Sequence, residues 1–100
     1  MVMLTPPHPG GLITEYLDDF GVSLRSLAAD LGVSPSALSK VASGKNAISP
    51  EMALRLEAAL GIAAPLWLAM QATYDLNKAR RTVDISHVVP SPHTQTELAH

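Results

Sequence analysis

Apolar residues recur three and four positions apart along most of the chain, which is the spacing of one face of an α-helix. Serine followed by proline, a favourable helix start, and glycine, a favourable helix end, divide this pattern into segments. The divisions predict five helices, at about 9–20, 24–31, 35–43, 50–60 and 65–80. Alanine and leucine supply most of the apolar content, so the expected fold class is all-α.

Each predicted helix carries apolar side chains at helical spacing. In the first helix these are Leu12, Ile13, Tyr16, Leu17 and Phe20. The fifth helix contains the only tryptophan of the chain, Trp67. We expect Trp67 in the core rather than in an interface, because a single tryptophan usually anchors a core.

The 100 residues fit one small domain with an extension at each end. We expect an N-terminal arm at 1–8, the helical domain at 9–81 and an extended or disordered tail at 82–100, where the apolar period fails. The apolar start “MVML” is too short for a signal peptide or a membrane span. A cytoplasmic location without a membrane partner is therefore expected.

The second and third predicted helices are separated only by Gly-Val-Ser at 32–34. Two helices joined so closely must cross steeply, and the small side chain of Ala28 suits the crossing point. Gly32 supplies the backbone angle that the turn needs, while Val33, Leu38 and Val41 seat the third helix on the core. This pattern predicts a helix-turn-helix at 24–43, in which the second of the two helices enters a DNA major groove. An ordinary helical hairpin is the alternative.

The outward positions of the third helix are the candidate base contacts: Ser34, Ser36, Ala37, Ser39 and Lys40. Serine bonds to any base and discriminates poorly, alanine can touch a thymine methyl group, and lysine can reach guanine or a phosphate. None of them is the bidentate arginine, asparagine or glutamine that gives sharp readout. We therefore expect weak sequence discrimination.

Phosphate contacts are better supplied than base contacts. Lys45 and Asn46 lie in the loop “SGKN”, where free backbone N–H groups are also expected, and Arg25 lies on the second helix. The start of the third helix adds its dipole. The net charge is −2, but residues 31–48 contain two lysines and no acidic residue, so a local positive face is expected. Ordinary solvated surface is the alternative for Lys40 and Lys45.

Several segments together resemble the HigA-type antitoxins, a branch of the lambda-repressor-like (Cro/CI, XRE) helix-turn-helix proteins. The matching segments are “HPGGLI” (8–13), “VSLRSLAADLGVSPSALSKVASGKNAIS” (22–49), “PEMALRLEAALG” (50–61) and “PLWLAMQATYDL” (65–76). The resemblance implies a five-helix lambda-repressor-like domain that binds double-stranded operator DNA as a homodimer and represses its own operon. It also implies a cognate toxin, a HigB/RelE-like mRNA interferase.

The chain departs from that family at two places. Leu24 stands where glutamine often binds a phosphate, and the outward face of the third helix lacks the arginine or glutamine that is common there. Both departures weaken the expectation of tight, specific DNA binding and leave the fold unaffected. A stand-alone regulator and a protein-interaction module that has lost DNA binding therefore remain alternatives.

The fifth helix is the candidate dimerisation element. Its candidate interface residues are Leu66, Met70, Tyr74 and Leu76. Two copies related by a two-fold axis would set their reading helices about 34 Å apart, one turn of DNA.

Catalysis is not expected. The chain has no cysteine, and no nucleophile with a base or pair of carboxylates stands out. Its histidines, at 8, 87, 93 and 100, are irregularly spaced in segments expected to be flexible. We therefore expect no cofactor and no metal site.

Overall fold

Five α-helices make up the domain in the computed structural model, which describes residues 6–93. They are α1 (Gly10–Phe20), α2 (Leu24–Leu31), α3 (Pro35–Ala42), α4 (Pro50–Leu60) and α5 (Ala64–Thr82). The described range contains no strand, so the prediction of an all-α, five-helix domain is confirmed. None of the helices in this range is long and apolar enough to span a bilayer.

Serine side chains cap the N-termini of the three central helices. Ser23 accepts a hydrogen bond from the Ser26 amide, and Ser34 accepts one from Ala37. Ser49 does the same for Met52 at the start of α4. Each bond satisfies an amide that the helix itself leaves unpaired, which stabilises a helix by about 1 kcal/mol.

The start of α5 uses a cap from another helix. Ala63 precedes it and offers no side-chain acceptor. Instead, Oε2 of Glu57 on α4 accepts the Ala64 amide at 2.7 Å. The carboxylate also meets the positive end of the α5 dipole, which favours this junction.

The core lies where α3 packs on α1 and α2, and where α4 packs on α2 and α5. Its largest fully buried side chains are Ile13, Leu27, Leu38, Leu56 and Trp67. The expected core position of Trp67 is therefore confirmed. Not every member of the apolar stripe of α1 is buried, since the Phe20 side chain is 70% exposed. Phe20 is the last residue of α1, and its ring packs at a tilt against Tyr16, with ring centroids 5.0 Å apart.

Beyond α5, residues 83–91 form neither helix nor strand, and their side chains are exposed. Thr82 closes α5 by donating its hydroxyl to the Lys78 carbonyl at 3.0 Å. Residues 94–100 of the predicted tail, with His100, and the first five residues of the predicted arm lie outside the described residues.

Candidate nucleic-acid interface

The turn between α2 and α3 has the geometry that a steep helix crossing needs. Ala28 is completely buried at the crossing, and its carbonyl accepts the Val33 amide at 3.0 Å. Gly32 has φ = +74°, in the left-handed region that glycine adopts without strain. These features fix the direction in which α3 leaves the turn.

Arg55 on α4 hydrogen-bonds to the same turn. Its Nη1 donates to the Leu31 carbonyl at 2.7 Å and to the Gly32 carbonyl at 3.4 Å, while its Nε donates to Glu51 at 3.3 Å. A cation at the C-terminus of α2 also complements the helix dipole. Local sequence pattern did not identify this role of Arg55, because the two carbonyls that it binds lie 23 and 24 residues away.

The exposed face of α3 is formed by serine and lysine. Ser34, Ser36, Ser39 and Lys40 are exposed, whereas the predicted contact Ala37 is half-buried. On the opposite face, Leu38 and Val41 are buried and fix α3 to the core. The exposed set therefore lies on a helix whose rotation about its axis is fixed.

Ser43 follows on the same helical face, one turn beyond Ser39 and Lys40, and is exposed. Ser43 is not among the contacts predicted from the sequence. Its hydroxyl donates to the Lys40 carbonyl at 3.3 Å and still offers lone pairs. The spacing 36, 39–40 and 43 was readable from the sequence and extends the outward face to the end of α3.

The loop between α3 and α4, residues 43–49, differs from expectation in its backbone. The amides of Lys45 and Asn46 both donate to the Lys40 carbonyl, at 2.9 and 3.0 Å. Those of Ser43 and Gly44 donate to other carbonyls of α3. The expectation of free amides in “SGKN” is therefore wrong for these residues, because the unpaired carbonyls at the end of α3 take them. The side chains of Lys45 and Asn46 are exposed.

The basic side chains of this region all reach solvent. Arg25, in the first turn of α2, is exposed, as are Lys40 and Lys45. Residues 31–48 contain no carboxylate, so Lys40 and Lys45 have no acidic neighbour within that segment. Exposed cations and helix N-termini are the groups that usually contact phosphate.

Gln71 on α5 fastens the far end of the 43–49 loop. It is 5% exposed, and its Oε1 accepts the Ile48 amide at 2.9 Å. Its Nε2 donates to Oδ1 of Asp75 at 3.0 Å. Ile48 itself is buried in the core, so the loop enters α4 at a fixed point.

His8, which the sequence places in a segment expected to be flexible, packs against the loop and against α5. Its ring lies edge-on to Tyr74, with centroids 4.9 Å apart, and a β-carbon on Gly44 would lie 3.4 Å from its Cγ. Its Nδ1 accepts the Gly10 amide at 2.9 Å, which caps α1. Burial lowers the pKa of His8, against the opposing charge of Asp75. A lowered pKa suits an imidazole that must keep Nδ1 unprotonated to accept this bond.

The outer face of α5 borders an apolar groove of about 650 Å³. Among its lining residues are Pro6, Pro7, Leu12, Leu66, Ala69 and Met70. Of the predicted interface residues, Leu66 and Leu76 are exposed to 52% and 54%, and Met70 and Tyr74 are half-buried. Tyr74 already packs on His8 of its own chain.

Comparison with known proteins agrees with this geometry. A helix-turn-helix family profile matches residues 13–67. The uncharacterized HTH-type transcriptional regulator YddM of Escherichia coli (strain K12) is 40% identical over 88 residues, which are 88% of this chain and 94% of the relative.

Two solved structures have the same fold. An addiction module antidote protein of the HigA family from Coxiella burnetii matches with a TM-score of 0.80 and 28% identity, over 87% of this chain and 98% of that chain. The Pseudomonas aeruginosa antitoxin HigA with the higBA promoter matches with a TM-score of 0.76 and 30% identity, over 87% and 98%.

The matched range begins within α1, contains the whole helix-turn-helix and ends in α5. It covers more than half of the chain, and the structural matches extend over most of the described domain. The resemblance found in the sequence is thereby confirmed. The chain belongs to the XRE-type helix-turn-helix family, and the solved structures that it resembles include HigA antitoxins of toxin–antitoxin systems.

Proposed function

We propose that the protein is an antitoxin that binds operator DNA as a dimer, represses its own toxin–antitoxin operon and neutralises a HigB/RelE-like mRNA interferase. The observation that carries the proposal is a capped, core-anchored α3 with Ser36, Ser39 and Lys40 exposed on its outer face. An antitoxin of similar fold that was solved with promoter DNA supports DNA binding by this fold. The DNA-binding domain occupies residues 9–81.

We expect two groups of side chains at the DNA, one that contacts bases and one that contacts phosphates. Base edges would meet Ser34, Ser36, Ala37, Ser39 and Lys40; phosphates would meet Arg25, Lys45 and Asn46. The side chain of Ala37 is a single methyl group and is half-buried, so it can at most touch a thymine methyl group. The exposed lysines and the N-terminus of α3 then contribute most of the affinity.

The dimer would form through the outer face of α5. A second copy that covers Leu66, Met70, Tyr74 and Leu76 would also bury part of the groove, because Leu66 and Met70 line it. Burial of such exposed apolar surface favours association at about 25 cal/mol per Å². The paired domains could then contact successive turns of the DNA.

Leu66→Glu tests this interface by analytical ultracentrifugation. It should dissociate the dimer, because it puts a charge into a buried apolar contact. Leu54→Glu is a matched control, since Leu54 on α4 is 59% exposed and lies outside the proposed interface. A wild-type protein that sediments as a monomer at micromolar concentration would contradict the dimer, as would an intact dimer of Leu66→Glu.

DNA binding is tested by gel shift with the DNA upstream of the protein's own gene, over a range of salt concentrations. Lys45→Ala should weaken binding to all sequences and lower the slope of log K against log salt by about 1. Lys78→Ala removes an equal charge from α5 and should leave that slope unchanged. No salt-sensitive shift of the wild-type protein at micromolar concentration would refute the DNA-binding proposal.

Toxin neutralisation is tested at the neighbouring gene. The product of a small adjacent reading frame should arrest growth when expressed alone and not when expressed with this protein. Co-purification of the two chains would then identify the partner. A stand-alone transcriptional regulator is the second candidate, favoured by the description of the E. coli relative. Operator binding without any growth-arresting neighbour would support it instead.

A further inference from the structure

Gln71 is the only buried polar residue within residues 6–93, and both ends of its amide are engaged. Oε1 accepts the Ile48 amide, and Nε2 donates to Asp75 one turn further along α5. A carboxylate can only accept hydrogen bonds, so Asp75 fixes which end of the Gln71 amide faces it. That leaves Oε1, the acceptor, turned toward the loop.

The 43–49 loop is thus anchored at two points on different helices. Near α3, the Lys40 carbonyl accepts the amides of Lys45 and Asn46. Near α4, Gln71 accepts the amide of Ile48. The exposed side chains of Lys45 and Asn46 lie between the two anchors, and only Ala47 separates Asn46 from the second. Losing either anchor would free the segment that carries them.

We propose that Gln71, oriented by Asp75, is a positioning residue for DNA binding, which holds the 43–49 loop so that Lys45 and Asn46 meet a phosphate. The inference rests on the proposed function. Gln71 does not itself face DNA in this arrangement, because it is buried beneath the loop. Its contribution is preorganisation: a loop already ordered in the free protein loses less conformational entropy when it binds.

Gln71→Leu removes the acceptor and keeps a side chain of similar size. It should lower the salt slope of binding to the upstream DNA by about 1, as Lys45→Ala does. Adding Lys45→Ala to Gln71→Leu should then reduce affinity by less than about twofold further, because contacts that depend on each other do not add. Binding is measured well below the unfolding temperature of each variant. A purely structural role would lower that temperature and leave the salt slope unchanged.

Exchanging the two side chains provides a rescue experiment. Gln71→Glu places a second carboxylate next to that of Asp75, and the two repel each other, so it should weaken DNA binding. Adding Asp75→Asn restores a donor–acceptor pair with its direction reversed, while residue 71 still presents an oxygen to the Ile48 amide. The double variant should recover the wild-type salt slope. This pair carries the test even where Gln71→Leu does not fold.

The outcomes separate the two proposals. If the wild-type protein binds and Lys45→Ala lowers the slope, but the Gln71 variants keep it, the positioning role is overturned and the proposed function stands. Full additivity of Gln71→Leu with Lys45→Ala, or no recovery in the exchanged pair, also overturns the positioning role. If the wild-type protein binds no DNA, the proposed function fails, and the positioning role fails with it.

Discussion

Gly10 offers a direct test of how α1 is set against α3. A β-carbon at Gly10 would collide with the Val41 carbonyl oxygen and lie 2.9 Å from the Ala42 carbonyl oxygen. Both oxygens are backbone atoms at the end of α3, so they cannot rotate away as a flexible side chain would. A β-carbon at the next residue, Gly11, would meet nothing within 4 Å. We predict that Gly10→Ala destabilises the fold and that Gly11→Ala does not.

The magnitude follows from two opposing terms. Overpacking a filled site costs about 1–3 kcal/mol, and contact with two fixed carbonyl groups puts Gly10→Ala near the upper end. Replacing a helical glycine with alanine raises the free energy of unfolding by about 0.5–1 kcal/mol at either position. The net expectation is a loss of about 2 kcal/mol at Gly10 and a gain of up to about 1 kcal/mol at Gly11. In a domain of this size the two variants should differ in Tm by on the order of 10–20 °C.

Thermal and urea unfolding, followed by far-UV circular dichroism, measure this difference. Gly11→Ala is the matched control, because it makes the same chemical change one residue away on the same helix. Equal unfolding midpoints for Gly10→Ala and Gly11→Ala would refute the close approach of α1 to the end of α3. A change in the urea m-value of Gly10→Ala would instead indicate altered compactness, and its free energy would then need a separate measurement.

Three further predictions concern side chains that link the helices. Burial lowers the pKa of His8 below its ordinary value of 6.5, so its contribution to the free energy of unfolding should be complete above pH 6.5 and be lost as the pH falls through the folded-state pKa. Urea unfolding at about pH 7.5 and about pH 5.5 measures this loss of stability, which the variant His8→Asn should not show. Arg55→Met keeps the aliphatic packing but leaves the Leu31 carbonyl unpaired, so it should lower the free energy of unfolding by about 1 kcal/mol. Arg55→Lys should recover part of that loss. Glu57→Ala should lower the free energy of unfolding by about 1 kcal/mol, because it removes the acceptor for the Ala64 amide at the start of α5. Glu57→Gln keeps an acceptor oxygen and should lower it by less. Equal losses in the two variants would show that only the charge of Glu57 matters.

The helix boundaries were largely predictable because they are decided locally. A serine at 34 or 49, a proline after it and an amide three residues on complete the helix start within four positions of sequence. Gly32 likewise ends α2 through its own backbone angle. The exposed serines of α3 and the buried Leu38 and Val41 follow from helical spacing, so the outward face of the candidate site was also readable.

The contacts that hold the site in place were not predictable from local pattern. Arg55 reaches back 24 residues to α2, Gln71 reaches 23 residues to the 43–49 loop, and Glu57 caps a helix that begins seven residues later. A polar residue on a helix carries no local sign of its partner. The packing of His8 was not predicted for the same reason, since its partners, Tyr74 and Gly44, belong to distant segments.

The outer face of α3 presents hydroxyls and one ammonium group, which accept many base sequences. Under the proposed function, discrimination then has to come from the DNA's shape and from the spacing of two half-sites. Such discrimination needs a rigid protein, because a loop that adapts to any phosphate position imposes no cost on the wrong DNA. The anchors of the 43–49 loop on Lys40 and Gln71 provide that rigidity. A contact without base specificity, such as that expected of Lys45, can therefore contribute to specificity when its position is fixed.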